Sequence, residues 1–151
     1  MGVDTQSGAL AAAIVLVVEG DPDLRSNALA VIKEAELNSM EAKSAEDALV
    51  YLREHAPDVG LILSSLKLRG RLVGIDLARL ALFRWPWIKV LVTSGDARLR
   101  DIPQNVVLLP KPWTAVDIRA HLDWEVARAR ATEVARARAT DAQVRLGHRV
   151  H

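Results

Sequence analysis

The sequence predicts an α/β fold: a five-stranded parallel sheet, doubly wound by helices, with an extended C-terminal helix. Three observations carry this expectation. Five short apolar runs alternate with segments of helical period. The runs at 14–18 and 59–63 are continuously apolar, as strands buried on both faces are. The last helical period continues well beyond the length needed to cover a sheet, and nothing breaks it between Thr114 and Leu146.

The elements follow in order. Ile14-Val-Leu-Val-Val is a β-branched strand bounded by Glu19, Asp21 and Pro22. Leu24, Ala28, Val31, Ile32 and Ala35 recur at helical spacing, which places helix one at 23–36. Asp21 before Pro22 reads as an N-cap with proline at the first helical position. Residues 39–43 form a short, weak strand, and Ser44-Ala-Glu-Asp47 reads as a capping box opening helix two, 45–54. After the strand at 59–63, Ile75, Leu77, Ala78, Leu80, Ala81 and Leu82 make helix three, which ends at Trp85-Pro86. A strand at 89–93, a single helical turn at 98–102 and a strand at 106–109 follow. Thr114-Ala-Val-Asp117 is a second capping box, and Gly147 is the expected stop of the final helix. In a sheet of this kind ligands bind beyond the carboxyl ends of the strands.

Length and composition set limits. The 151 residues fit one domain with an appendage, and 50% are apolar, enough for a sizeable core. The division expected is an N-terminus at 1–11 without structure, a domain at 12–127 and a helical extension at 128–151. There is no cysteine, which excludes disulfides and thiolate metal sites. Of four histidines, His148 and His151 lie at the end and no HxxxH spacing occurs, so no metal site is expected. The longest apolar run, 9–18, is too short to cross a bilayer, and no basic segment precedes it as in a signal peptide. Met1-Gly2 lacks the Ser or Thr at position 6 that myristoylation wants, because Gln6 stands there. The expectation is a cytoplasmic protein with no membrane partner.

Four strand ends aim at one spot: Glu19-Gly20-Asp21, Ser64-Ser65, Thr93-Ser94-Gly95 and Lys111-Pro112. Together with Gly74-Ile75-Asp76 opening helix three, this layout resembles the receiver domain of bacterial two-component response regulators, a flavodoxin-like fold, over about residues 12–127. The resemblance implies a phosphorelay signalling role. It also implies roles for particular positions. Glu19 and Gly20 fall on the acid pair that holds magnesium, Ser65 on the phosphate-accepting aspartate, Thr93 on the hydroxyl residue that contacts phosphate and Lys111 on the lysine that pairs with it. Pro112 follows the lysine as in that family, where it marks a cis peptide. Leu108 stands where many receivers carry an aromatic switch residue.

Two of these positions depart from the family's chemistry. Transfer of a phosphoryl group needs a carboxylate nucleophile and a divalent cation. A serine hydroxyl is a weak nucleophile without a base, and Gly20 removes a magnesium ligand. The expectation is a receiver that keeps the scaffold and lacks the chemistry: not an enzyme, with no catalytic residue, no resident metal and magnesium binding weak or absent. Glu19, Gly20 and Asp21 are then a vestigial acidic pocket. Each residue also has a plain structural reading. Asp21 caps its helix, Thr93 is a strand-end β-branched residue, Lys111 pairs with Glu19 or Asp21, and the two serines bond backbone. An atypical phospho-acceptor at Ser65 or Asp21 is the alternative.

The tail is distinct. Glu125-Val-Ala-Arg-Ala-Arg-Ala-Thr132 repeats letter for letter as 133–140. Residues 1–124 carry net −2 and residues 125–151 net +3. Ala and Arg favour helix, and Glu125–Arg128, Arg130–Glu133 and Glu133–Arg136 are supporting i,i+3 pairs. Ile118, Leu122 and Val126 form an inward stripe, with Trp124 on the far side beside Ala120 and Val116. Trp124, Val126 and Val134 are the candidate interface residues. About 19 residues beyond Ala127 would project roughly 28 Å, marginal as a lone helix, so pairing into a homodimer is expected. The competing readings are a frayed, solvated helix and, for Trp124, packing over the short fourth helix of its own chain. A nucleic-acid grip is not expected, because acids interleave with the arginines and no aromatics accompany them. The implied partner is a histidine kinase or another signalling protein.

Overall fold

The computed structural model describes residues 14–68, 70, 73–95 and 102–149. Five strands form one parallel sheet: β1 (Ile14–Val18), β2 (Ser39–Ala42), β3 (Val59–Ser65), β4 (Lys89–Ser94) and β5 (Val106–Pro110). Their spatial order is β2-β1-β3-β4-β5. The helices are α1 (Pro22–Glu34), α2 (Ala45–His55), α3 (Gly74–Arg84) and α4 (Ala115–Arg149), with a 3-10 turn at Ala56–Asp58. This is the doubly wound parallel sheet that the strand pattern predicts.

Alternation along each strand divides the core into two layers. Leu16, Val18, Ile62, Val90 and Val92 face Leu52 of α2 and Leu77 of α3. Val15, Val17, Leu61, Leu63 and Leu91 face Ile32 of α1 and Ile118 and Leu122 of α4. Both faces of β1, β3 and β4 are thereby covered, which is why these strands read as unbroken apolar runs. β2 lies at the edge and exposes three of its four residues, matching its weak signal.

Local signals place the helix starts. Asp21 Oδ1 accepts the amides of Asp23 and Leu24 at 2.8 and 3.1 Å, and Pro22 occupies the first turn. Ser44 Oγ accepts the Asp47 amide at 3.1 Å. At α4 the capping box closes both ways: the Thr114 amide donates to Asp117 Oδ2 and the Asp117 amide to Thr114 Oγ1. Helix α1 ends with Glu36 at φ 61°, while the Leu37 amide reaches Ile32 O and the Glu36 amide Lys33 O. That is a Schellman ending with glutamate where glycine is usual.

One expected boundary is corrected. Gly147 does not stop α4, which runs through it to Arg149. Glycine in a helix interior costs only about 1 kcal/mol, too little to end a helix without a left-handed cap. The segment 1–11 and most of the turn at 98–102 lie outside the described residues, as do the side chains of Arg130 and Glu133 and with them the two pairs that Glu133 was expected to form. No helix among the described residues is long and apolar enough to cross a membrane.

Candidate functional site

The carboxyl edge of the sheet gathers the predicted residues because the strands are in register. Val18 pairs with Ser64, Ser65 with Thr93, and Thr93 with Leu109, so β1, β3, β4 and β5 end at one level. Glu19, Ser65 and Thr93 are buried there, and Gly20 and Asp21 form the exposed lip. The Lys111–Pro112 peptide is cis, and the Lys111 amide donates to Ser94 O at 2.7 Å.

Lys111 is the centre of the site. Its Nζ donates to Ser65 Oγ at 3.1 Å and lies 3.5 Å from Glu19 Oε1. The other Glu19 oxygen accepts the Asp21 amide at 3.1 Å, and the Glu19 carbonyl accepts from Arg25 at 2.9 Å. Glu19, Lys111 and Ser65 therefore form one chain of polar contacts across β1, β5 and β3. The expected salt bridge of Lys111 falls on Glu19; Asp21 spends Oδ1 on its helix cap. Ser64 Oγ donates to the Ser65 carbonyl at 3.0 Å, so that hydroxyl is satisfied by backbone. Ser65 departs from the plain reading, because its hydroxyl accepts from a lysine. Leu108 is partly buried against the core.

A cleft of about 780 Å³ opens above these residues. Its walls include Lys43, just past β2, and Lys67, just past β3, neither of which belongs to the predicted site. The signal that could have found both is a charge directly following a strand. Gly74 lets α3 start in close contact with the end of β3: a Cβ there would overlap the Ser65 carbonyl and Leu66 Cα.

A second polar cluster lies at the opposite edge of the sheet; the sequence predicts its Glu125–Arg128 pair but neither the burial of that pair nor its meeting with Gly60 and Lys89. Glu125 of α4 is 0% exposed and is bonded by Arg128 at 3.1 Å (Nε to Oε2) and 2.6 Å (NH2 to Oε1). Gly60 makes the room, since a Cβ on it would overlap the Glu125 carboxylate and the Arg128 guanidinium. Lys89 Nζ lies 4.4 Å from the centre of the Trp124 ring and 3.1 Å from His121 Nδ1. Trp124 is therefore 47% exposed yet roofed by its own chain's Lys89, with Arg128 at 5.7 Å, and is not a bare apolar patch. Val126, on the inward stripe and also among the candidate interface residues, is half-buried against the α1/α4 core layer. Val134, one repeat later, is 49% exposed.

His121 titrates below its ordinary range, first through desolvation and then through the Lys89 ammonium. Lys89 is also lowered by desolvation, which Glu125 opposes. The unfolded chain thus binds a proton at His121, near pH about 6.5, that the folded chain refuses. Stability is expected to fall as pH drops below that value, until His121 is protonated in both states. Urea midpoints from about pH 7.5 to about pH 5 should show a shallower decline for His121→Gln than for the parent. Equal declines would remove His121 from this role.

No family model and no curated relative matches the sequence. Solved structures do match in shape. A response regulator receiver domain protein from Clostridium thermocellum superposes with TM-score 0.70 at 19% identity, covering 80% of this chain and 98% of that one. The signal receiver domain of an HD domain-containing protein from Pseudomonas fluorescens Pf-5 gives 0.69 at 18%, covering 79% and 98%. The receiver domain of the hybrid histidine kinase CckA gives 0.65 at 24%, covering 75% and 98%. Strand order and these superpositions agree: this chain has the fold of a response-regulator receiver domain.

Proposed function

We propose that the protein is a pseudo-receiver, a cytoplasmic module of two-component signalling that works by protein–protein interaction without being phosphorylated, and that it dimerises through α4. The observation that carries this reading is the Glu19–Lys111–Ser65 chain. Where a phospho-acceptor carboxylate would stand, a buried serine accepts from the lysine at 3.1 Å. The residues do not fit a magnesium ion. Gly20 and Ser65 supply no carboxylate, Glu19 is engaged by Lys111 and by the Asp21 amide, and Asp21 Oδ1 caps α1. Magnesium prefers an octahedral shell built on one or two available carboxylates. The partner that fits a receiver surface without the chemistry is a histidine kinase or another signalling protein, bound competitively or as an adaptor.

Incubation with acetyl phosphate and magnesium, followed by intact mass measurement, is expected to show no added phosphoryl group. Incorporation mapped to Ser65 or Asp21 would replace this reading with that of an atypical phospho-acceptor.

The dimer rests on the tail. From Val134 to Gly147 every residue is exposed, including Val134, Val144 and Leu146. Residues 129–149 span roughly 32 Å of helix, which is marginal in water unless it packs on a partner. Arg128 is anchored on Glu125, so a clean truncation starts after it. Removing residues 129–151 is expected to convert a dimer into a folded monomer, as read by light scattering at two concentrations. A full-length monomer, or a truncated dimer, would refute pairing through α4.

A further inference from the structure

The cleft at the carboxyl edge has more positive than negative charge available to a ligand. Three lysines line it, Lys43, Lys67 and Lys111, against two acids, Glu19 and Asp21. Lys111 and Glu19 neutralise each other at 3.5 Å, and Asp21 Oδ1 is held by two amides of α1. Glu41, on the strand before Lys43, is turned to Arg25 at 3.7 Å. Lys43 and Lys67 have no acid partner among the described residues.

Topology puts these two lysines on either side of an opening. β1 lies between β2 and β3, so Gly20, which follows β1, sits between Lys43 and Lys67. A Cβ on Gly20 would meet only the Lys43 carbonyl, at 3.6 Å, so the space above it is open. Below, Ser65 Oγ accepts from Lys111 and retains its own proton to donate. Two cations flanking a gap, with a hydroxyl donor at its base, suit an oxyanion. The volume, about 780 Å³, is that of a pocket for a small organic molecule, larger than one phosphate requires.

We infer that this cleft binds the phosphate group of a small phosphate monoester directly, without a divalent cation. The inference rests on the pseudo-receiver reading, because carboxylates at positions 20 and 65 would repel the same anion. Charge therefore selects opposite ligands on one scaffold: an acidic edge collects a cation, and this one collects an anion.

Isothermal titration of the full chain in EDTA tests it, with inorganic phosphate and AMP as probes and chloride at matched ionic strength as the control. Saturable binding is expected, tighter for AMP than for phosphate if the ester is the ligand and equal if free phosphate suffices. Lys43→Gln with Lys67→Gln, both on exposed side chains, should weaken binding by about tenfold or more through loss of two charge-assisted contacts. Gly20→Asp should weaken it as well. No heat beyond the chloride control, unchanged affinity in the lysine variant, or binding that appears only with magnesium would overturn the inference. These outcomes are separate from phosphorylation by acetyl phosphate, which would instead sink the pseudo-receiver reading.

Discussion

Arg128→Ala is expected to destabilise the protein by about 3 kcal/mol, because it strands the buried Glu125 carboxylate without its partner. For a domain of this size that is a fall of about 6–12 °C in Tm. The lower end of the usual range for broken buried pairs applies, since Lys89 lies close enough to Glu125 to be influenced by it and remains to compensate in part. Replacing both partners, Glu125→Leu with Arg128→Leu, should recover most of the loss, since an apolar pair carries no desolvation penalty. Gly60→Ala should act on the same contact from the other side, because its methyl group would displace the carboxylate. Thermal melts of the three variants decide the point. An Arg128→Ala protein that melts with the parent would show that Glu125 does not depend on Arg128.

On the pseudo-receiver reading, Gly20→Asp combined with Ser65→Asp is expected to confer an uptake of phosphoryl groups that the parent should not show. The combination restores a nucleophilic carboxylate and, with Glu19, three carboxylates for magnesium. The scaffold can receive both. Gly20 has an ordinary backbone and open space around its Cα, and Lys111 Nζ already stands at the Ser65 side chain. Each single variant should stay inert: Ser65→Asp lacks part of the cation site, and Gly20→Asp lacks the nucleophile. Without magnesium the double variant should be less stable than the parent, because two added acids crowd Glu19. Magnesium at a hundredfold over its dissociation constant should return about 2.7 kcal/mol. Intact mass after acetyl phosphate and a Tm series with and without magnesium read both effects. A double variant that binds magnesium yet never gains a phosphoryl group would mean that more of the receiver's chemistry is missing than these two side chains.

Much of this molecule is legible along the chain, since the forces involved are short-ranged. Short continuous apolar runs bounded by turn signals read as central strands. Asp21, Ser44 and Thr114 cap helices through contacts within three residues. The positions of Glu19, Ser65, Thr93 and Lys111 at strand ends fix their meeting once the sheet is parallel, and the polar chain among them is one they were expected to form in part. What escaped was charge next to those ends, Lys43 and Lys67, because a lysine just past a strand is an ordinary solvated residue unless the cleft it lines is known.

The repeat marks the limit. Glu125-Val126 and Glu133-Val134 begin identical eight-residue units, so any argument from sequence treats them alike. Val126 is half-buried against the core, while Val134 is exposed. Only the sheet distinguishes the two units: Gly60 and Lys89, tens of residues away in the chain, form the niche that receives the first. The sequence alone determined the strands, the caps, the order of elements and the residues gathered at the carboxyl edge, because each follows from neighbours a few positions apart. Tertiary structure alone decided that Glu125 is buried, where Trp124 lies and what charge the cleft presents, because desolvation and Coulomb energy depend on distance through space.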